Sequence, residues 1–116
     1  MSRKDIEIME TRLEVYERDG YQCMHIQAGA FAHSRCQVRG HDNLELAHCV
    51  SKGQTESIID FWKFEFNEDI TKSQATKILN HPLNLKTSCS RHNSSFNIAF
   101  NREKRKKLLY EIKEVL

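Results

Sequence analysis

The sequence predicts a small α+β fold, and three patterns along the chain indicate it. Residues 4–18 carry the apolar side chains Ile6, Met9, Leu13 and Tyr16 at steps of three and four, the period of an amphipathic helix. Residues 44–50 alternate like a half-buried strand, with one face formed by Leu44, Leu46, His48 and Val50. Residues 21–43, between them, have no helical period and contain two cysteines, which suggests a loop-rich segment held by something other than packing.

The composition is that of one hydrated domain with a thin apolar core. The 116 residues are 29% charged and 39% hydrophobic, and the mean hydropathy is -0.66. A chain of this size buries a limited share of its surface, and a structural metal is one of the few means of stabilising it. No segment approaches the roughly 20 apolar residues of a membrane span, so we expect no membrane partner.

The N-terminal residues and the cysteines favour a cytoplasmic location. Residues 1–10 are charged throughout and lack the apolar stretch of a secretory signal peptide. In a reducing compartment, cysteines bind metal more often than they form disulfides. We therefore interpret the four cysteines as thiols: Cys23, Cys36, Cys49 and Cys89.

Helices account for most of the remaining chain. They are predicted over residues 57–66, 70–79, 84–97 and 102–116. Asp69 or Thr71 is a candidate N-cap of the second of these, and Asn80-His81-Pro82 ends it because proline disfavours helix in the residue before it. Asp19-Gly20 ends the N-terminal helix in the same way that glycine ends many helices.

These elements predict a single domain over residues 1–116. Its parts are an N-terminal helix (1–19), a core (20–100) with a helical insertion near 54–79, and a basic C-terminal helix (101–116).

A candidate metal site is indicated by Cys89-Ser90-Arg91-His92, a C-x-x-H pair. Two ligands separated by two residues reach one ion from a tight turn, but one pair does not complete a zinc site. Cys23 and Cys36 are the best second pair, although their twelve intervening residues exceed the usual spacing. His25 or His33 is an alternative to Cys36, and a third interpretation treats the cysteines as small core residues. Cys49 is left over and is expected to be buried.

A run of basic residues begins the last predicted helix. It contains Arg102, Lys104, Arg105, Lys106 and Lys107 and is interrupted by Glu103. Such a run is typical of a phosphate-binding surface, although many short charge runs are solvated helix faces. The run is therefore compatible with a nucleic-acid partner, and a plain solvent-exposed helix face remains the alternative.

Three segments, in order, resemble the HNH (His-Asn-His) endonuclease family over about residues 12–97. Arg18-Asp19-Gly20-Tyr21-Gln22-Cys23 is similar to the family's R-D-G-Y-x-C segment. Residues 44–50, followed by Ser51-Lys52-Gly53, are similar to the strand that carries the first motif histidine and its Lys-Gly turn. Residues 84–93 resemble the N-L-x-x-L-C-x-x-C-(H/N) run, with His92 replacing the second cysteine.

The resemblance implies a ββα-metal core with a zinc-stabilised loop, flanked by helices and docked in the DNA minor groove. It assigns the general base to His48, the motif asparagine to Asn84, and a ligand of the catalytic Mg²⁺ or Mn²⁺ to Asn93. The structural zinc falls on Cys23, Cys36, Cys89 and His92. Lys52, in the Lys-Gly turn, joins the basic run as a nucleic-acid contact. An imidazole with a pKa near 6.5 suits the removal of a proton from water.

Two departures from the family pattern bear on catalysis. Ala47 stands where many members place a metal-binding Asp or His, so the catalytic metal loses a ligand and would need Asn93, phosphate, water or His81. If the missing ligand limits the enzyme, an aspartate at position 47 is expected to raise activity or to lower the metal concentration needed. The insertion near residues 54–79 separates strand and helix more widely than in compact members and is a candidate docking surface.

Three functions compete at this point. The leading one is a metal-dependent DNA endonuclease, which in small nucleases is often a homodimer. The alternative is a zinc-containing DNA-binding module of the same fold that does not cleave, as Ala47 suggests. The third is a protein-interaction domain whose docking surface is formed by Phe61, Trp62, Phe64 and Phe66. Cleavage of plasmid separates the first from the others, and salt-dependent DNA binding separates the second from the third.

Overall fold

The computed structural model describes residues 3–27, 34–98 and 101–116 and has the mixed α+β content predicted from the sequence. In these ranges the α-helices are α1 (Arg3–Arg18), α2 (Thr55–Phe66), α3 (Lys72–Leu79) and α4 (Arg102–Val115). The strands are β1 (Ile26–Gln27), β2 (Ser34–Arg35), β3 (Glu45–His48) and β4 (Leu85–Ser88). β1 pairs with β2 in one two-stranded sheet, and β3 pairs with β4 in another.

The chain divides into two compact units that alternate along the sequence. The first contains Met1–Ala47 and Leu85–Phe96, and the second contains His48–Asn84 and Asn97–Leu116. The insertion expected near residues 54–79 therefore belongs to the same unit as the C-terminal helix α4. The single predicted domain of residues 1–116 is thus organised as two units, and each carries its own cluster of buried side chains.

In the first unit, α1 ends as the sequence predicts, at a glycine in the left-handed region. Gly20 has φ +73°, and the Tyr21 amide donates to the Tyr16 carbonyl at 2.8 Å, which closes the last turn. Tyr16 is fully buried, whereas Met9 and Leu13 are 49% and 42% exposed, so the predicted apolar stripe is buried only at its C-terminal end. The side chain of Ile6 lies outside the described part of the helix.

The second unit has an apolar core supplied mainly by its helices. Thr71 begins α3 with a capping box, because its hydroxyl accepts from the Gln74 amide while the Gln74 side chain accepts from the Thr71 amide. The predicted helices over 57–66, 70–79 and 102–116 are confirmed, with ends shifted by a few residues. The core residues are Val50, Ile58, Trp62, Ala75, Ile78, Leu79, Leu109 and Ile112.

The helix predicted over residues 84–97 is wrong. The chain instead forms β4, a turn, and a short 3-10 helix at Asn93–Phe96. Two contacts hold residues 85–88 in an extended conformation. The segment pairs with β3, and the Thr87 amide donates a hydrogen bond to the Asp19 carboxylate at 2.9 Å. These tertiary contacts outweigh a weak local helix propensity in Leu85-Lys86-Thr87-Ser88.

Candidate metal centre and candidate base

A β-hairpin brings Cys23 and Cys36 together despite their separation in sequence. The register of β1 and β2 pairs Ile26 with Arg35, and the same antiparallel register continues to a bridge between Gln22 and Arg39. Across this hairpin the Cys36 amide donates to the His25 carbonyl at 2.8 Å. Cys23 and Cys36 therefore lie on two paired antiparallel segments, which explains a spacing longer than that of a simple knuckle.

The other two residues of the cluster follow β4. The turn after the strand is closed by the His92 amide, which donates to the Cys89 carbonyl at 3.2 Å. His92 Nδ1 lies 3.4 Å from Cys89 Sγ and 3.8 Å from Cys23 Sγ. The Met24 amide donates to the Thr87 carbonyl at 2.9 Å and so holds β4 beside the segment that carries Cys23.

Together these elements form a cluster that could hold a metal ion: Cys23, Cys36, Cys89 and His92. One ligand atom from each residue lies within 4.8 Å of every other, and the three cysteines are buried. Tetrahedral bonds of about 2.3 Å to sulfur and 2.0 Å to nitrogen separate the ligand atoms by roughly 3.5–3.8 Å. The two nitrogen–sulfur distances in the cluster match that spacing, so the donor set fits a zinc-sized ion. All four cysteines are free thiols, as the sequence predicted.

The surroundings of Cys89 favour its thiolate form. Burial acts to raise the pKa of the Cys89 thiol, but the amides of His92 and Arg91 and the Cys23 side chain outweigh it, and the pKa lies below its usual value. Burial raises the pKa of Cys23. Amides that donate to a thiolate are typical of metal-binding turns, because they share the negative charge of the ligand.

Arg35 holds the backbone around the cluster, and the sequence did not single it out. Its Nε donates to the Cys23 carbonyl at 2.9 Å, and its terminal nitrogen donates to the carbonyls of Gln22, at 2.7 Å, and Asp19. A lone arginine in a segment without a clear helix or strand period has no distinctive spacing, so no pattern in the sequence could have revealed this role.

The Arg18-Asp19 pair gives the segment that resembles R-D-G-Y-x-C a structural role in this chain. Asp19 is 5% exposed and accepts from the Arg18 guanidinium at 2.8 and 3.0 Å as well as from the Thr87 amide. Although burial acts to raise it, the pKa of Asp19 lies below its usual value because these donors stabilise the carboxylate. Arg18 also donates to the Leu85 carbonyl at 2.6 Å, so the pair joins the end of α1 to β4.

His25 lies against the cluster without being one of its four members. Its ring stacks on that of His92, with centroids 4.0 Å apart and an angle of 16° between the planes. Its Nδ1 is buried and has no hydrogen-bond partner among the described residues. Of the alternatives left open by the sequence, Cys36 occupies the fourth position, and His33 lies outside the described residues.

In the second unit, His48 ends β3 with its ring half-buried. Its Nε2 lies 2.9 Å from the Asn80 Oδ1. Burial lowers the pKa of His48 below its usual 6.5, the positive charge of Lys52 lowers it further, and the contact with Asn80 opposes both. The imidazole is therefore predominantly neutral at pH 7, the form that can accept a proton.

Asn84 is buried and holds the backbone that follows His48. It is 1% exposed. Its Oδ1 accepts the Val50 amide at 2.8 Å, and its Nδ2 donates to the carbonyls of Val50, at 3.0 Å, and Leu79, at 2.7 Å. The Asn84 carbonyl accepts the Cys49 amide at 2.8 Å. Every polar atom of the side chain is used, so Asn84 acts on backbone position and not on a substrate. Cys49 is buried, as predicted.

The described contacts of the residues assigned to a catalytic divalent metal give no support for that ion. Ala47 offers no ligand atom and is completely buried. In the first unit, Asn93 donates through Nδ2 to Glu45 Oε1 at 2.6 Å and to the Leu46 carbonyl at 3.4 Å. His81 Nδ1 accepts the Leu83 amide at 3.1 Å. Within the described ranges, the Cys3His cluster is the only group of three or more His, Cys, Asp or Glu side chains close enough to bind an ion.

The basic run on α4 divides into two sets. Arg105 donates to the hydroxyl and the carbonyl of Ser57 and lies 5.6 Å from the centroid of Phe61. Lys106 lies 3.7 Å from the Glu65 carboxylate. Arg105 therefore serves packing within the second unit, whereas the other basic residues of the predicted contact set are exposed: Lys52, Arg102, Lys104, Lys106 and Lys107.

The aromatic residues of α2 do not form the predicted docking surface. Trp62 is 1% exposed, and Phe61 and Phe66 pack against the core of the second unit. Only Phe64, at 87% exposure, faces solvent. The aromatic-rich composition of this helix is accounted for mainly by burial.

Comparison of the chain with models of protein families, with curated proteins and with solved structures gives no match. Among the described residues, no helix has the length and apolar character needed to span a membrane.

Proposed function

We propose that this chain is a zinc-stabilised endonuclease of the HNH type that hydrolyses phosphodiester bonds in DNA with His48 as the general base. The observation that carries the proposal is the burial and positioning of the His48 imidazole. Its ring is half-buried at the end of β3, burial lowers its pKa, and its position depends on a backbone segment that Asn84 holds. A neutral imidazole in such a segment meets the requirements of a general base.

The proposed reaction is hydrolysis of one ester bond of a DNA phosphodiester. His48 accepts a proton from water while the water oxygen forms a bond to phosphorus. One P–O ester bond then breaks, and the leaving oxygen takes a proton from solvent. Lys52 supports this arrangement because its ammonium group acts on His48 electrostatically and its exposed side chain is accessible to a DNA phosphate. No step is assigned to Mg²⁺ or Mn²⁺, because Ala47 has no ligand atom in its side chain and the described residues form no second cluster of three or more His, Cys, Asp or Glu ligands.

Zinc is the ion proposed for the Cys3His cluster. Three thiolates and one imidazole whose ligand atoms lie within 4.8 Å of one another suit zinc better than the harder cations, which prefer oxygen. The four donors are joined through the hairpin and through β4, so the ion would stabilise the fold and leave no open position for chemistry. The exposed basic residues on α4 support contact with DNA phosphates.

A nicking assay on supercoiled and branched DNA tests the proposal. The native chain and His48→Ala are compared without added metal and with Mg²⁺, Mn²⁺, Co²⁺ or Ni²⁺. Loss of a positioned base lowers the rate by about 10²–10⁴, while zinc content and DNA affinity stay unchanged. Equal nicking by both proteins would rule out His48 as the base.

The second candidate is a DNA-binding module that does not cleave. It is favoured by the buried methyl group of Ala47, which stands where many HNH members place a metal-binding side chain. This candidate predicts salt-dependent DNA binding with no nicking under any of the metal conditions. The same assay, combined with a binding titration, therefore decides between the two.

A further inference from the structure

The orientation of the His48 ring is determined by a residue outside the three segments that resemble HNH proteins. His48 Nε2 lies 2.9 Å from the side-chain oxygen of Asn80, which is 32 residues further along the chain. An amide oxygen can only accept a hydrogen bond, so Nε2 carries the hydrogen in this contact. The neutral imidazole then has its lone pair on Nδ1.

Asn80 is itself held in place by the fold of the second unit. It follows the last residue of α3, and its amide donates to the Thr76 carbonyl at 3.0 Å. The helix starts at the capping box of Thr71, and its inner face is buried in the core through Ala75, Ile78 and Leu79. The side-chain oxygen of Asn80 therefore projects from a fixed helix end and not from a free loop.

We infer that Asn80 is a positioning residue for His48, and that it selects the tautomer in which Nδ1 is the atom that accepts the proton from water. The assignment of a catalytic base to His48 rests on the proposed function, whereas the tautomer and its dependence on Asn80 do not. The insertion near residues 54–79 then has a role in the active site, because α3 delivers the side chain that orients the base.

The roles of the two asparagines are separate. Asn84 uses its whole amide on the backbone of Val50 and Leu79 and never reaches a ring atom in the described contacts. Asn80 is exposed and reaches the ring directly. The motif asparagine thus positions the segment that carries the base, and the asparagine at the helix end positions the base itself.

Three variants test the inference. Asn80→Ala removes the acceptor, and Asn80→Asp keeps an oxygen acceptor at the same place while adding a negative charge. Thr76→Ala is the matched control, because Thr76 lies one turn earlier on α3 and its hydroxyl bonds only locally to the Lys72 carbonyl. Zinc content and far-UV circular dichroism establish that each variant is folded.

The first measurement is nitrogen-15 NMR of the His48 imidazole across pH, which needs no nuclease activity. We expect a hydrogen on Nε2 in the native protein, in Thr76→Ala and in Asn80→Asp. Asn80→Asp should raise the pKa of His48 by about one unit, since a carboxylate favours the imidazolium, while Lys52 continues to oppose the charged form. Asn80→Ala should yield a mixture of tautomers. A hydrogen on Nδ1 in the native protein, or unchanged spectra in Asn80→Ala, would overturn the inference.

The second measurement is the pH dependence of nicking. Loss of one neutral hydrogen bond should lower the rate of Asn80→Ala about two- to tenfold at pH 7. At high pH, Asn80→Asp should nick DNA as fast as the native protein. As the pH is lowered, its nicking rate should begin to fall at a higher pH than that of the native protein. If no variant nicks DNA but the NMR results are as expected, the proposed nuclease function fails and the positioning of His48 by Asn80 stands. If nicking occurs and is insensitive to Asn80, the positioning role fails and the nuclease stands.

Discussion

His48 differs from a solvated histidine through its burial and through one charged neighbour. Burial and Lys52 both lower its pKa below 6.5. The acid limb of the nicking profile should therefore lie below pH 6.5, and the rate should be flat around pH 7, where the base is already neutral. A rate profile from pH 5 to 8 measures this.

Lys52→Gln provides the control for that profile. Removing the positive charge takes away one of the two effects that lower the pKa of His48, so the acid limb should move to higher pH. An acid limb above pH 7 in the native protein would contradict the assignment.

The burial of Ala47 changes what is expected of an aspartate at this position. The sequence suggested that an aspartate at this position would raise activity, but the side chain is completely buried. A carboxylate placed there would lose its hydration without a prepared partner, so Ala47→Asp should lower the free energy of unfolding by about 2–4 kcal/mol. Urea unfolding at pH 7 measures the loss.

Ala47→Ser is the matched comparison, because serine is uncharged and smaller than aspartate. Its free energy of unfolding should fall less than that of Ala47→Asp. Ala47→Asp with undiminished stability and higher nicking in Mn²⁺ would restore the sequence-based expectation and show that the strand can turn this position outward.

At the scale of elements, α4 is a helix with one packing face and one exposed basic face. Neutralising Arg102, Lys104 and Lys107 to glutamine should weaken DNA binding at all sequences and leave the fold intact. The slope of the logarithm of affinity against the logarithm of salt concentration should fall by up to about 2.7, roughly 0.9 for each phosphate that is no longer neutralised. Fluorescence anisotropy titrations at several salt concentrations give this slope.

Arg105→Gln is the control on the other face of the same helix. It removes the interactions with Ser57 and Phe61, so it should lower stability and change the salt slope less. An unchanged slope in the triple variant would identify the basic run as a solvated face.

The elements that could be predicted from sequence are those whose signals are local. α1, α3 and α4 have an apolar period together with a cap such as Thr71, Gly20 or Asn101, and these act within a few residues. β4 was predicted as helix because its conformation depends on pairing with β3 and on the distant Asp19. No pattern within residues 85–88 carries that information.

The residues of the candidate sites also divide into those with a local sequence signal and those that depend on distant contacts. The ligand types and the C-x-x-H turn identified the members of the Cys3His cluster from sequence, because the chemistry of each ligand is visible in one residue. Arg35 and Asn80 were missed as functional neighbours since their roles appear only when distant segments meet. Asn80 was interpreted solely as the end of a helix, which it also is.

At the scale of the whole molecule, the two units differ in what stabilises them. The buried cluster of the first contains Tyr16 and Leu44 together with three of the proposed zinc ligands, whereas the second has eight buried core residues of its own. We expect one zinc per chain, and a strong chelator should unfold the first unit while α2, α3 and α4 keep much of their helicity. Elemental analysis and far-UV circular dichroism during chelation measure both quantities.

Cys49→Ser is the control for the zinc prediction, because Cys49 is buried but is not part of the cluster. It should retain a full equivalent of zinc, and Cys89→Ser should lose most of it. Less than about half an equivalent in the native chain, expressed with zinc available, would contradict the site.

The order of the donors along the chain has a consequence for biosynthesis. Cys23 and His92 are 69 residues apart, and the whole of residues 48–84 is translated between them. A nascent chain that ends before Cys89 can offer only two of the four donors, so tight ion capture has to wait until Cys89 and His92 have been made. At about 5–20 residues per second the hairpin thiols would stay uncoordinated for several seconds. During that interval they are open to oxidation or to capture by a competing soft metal.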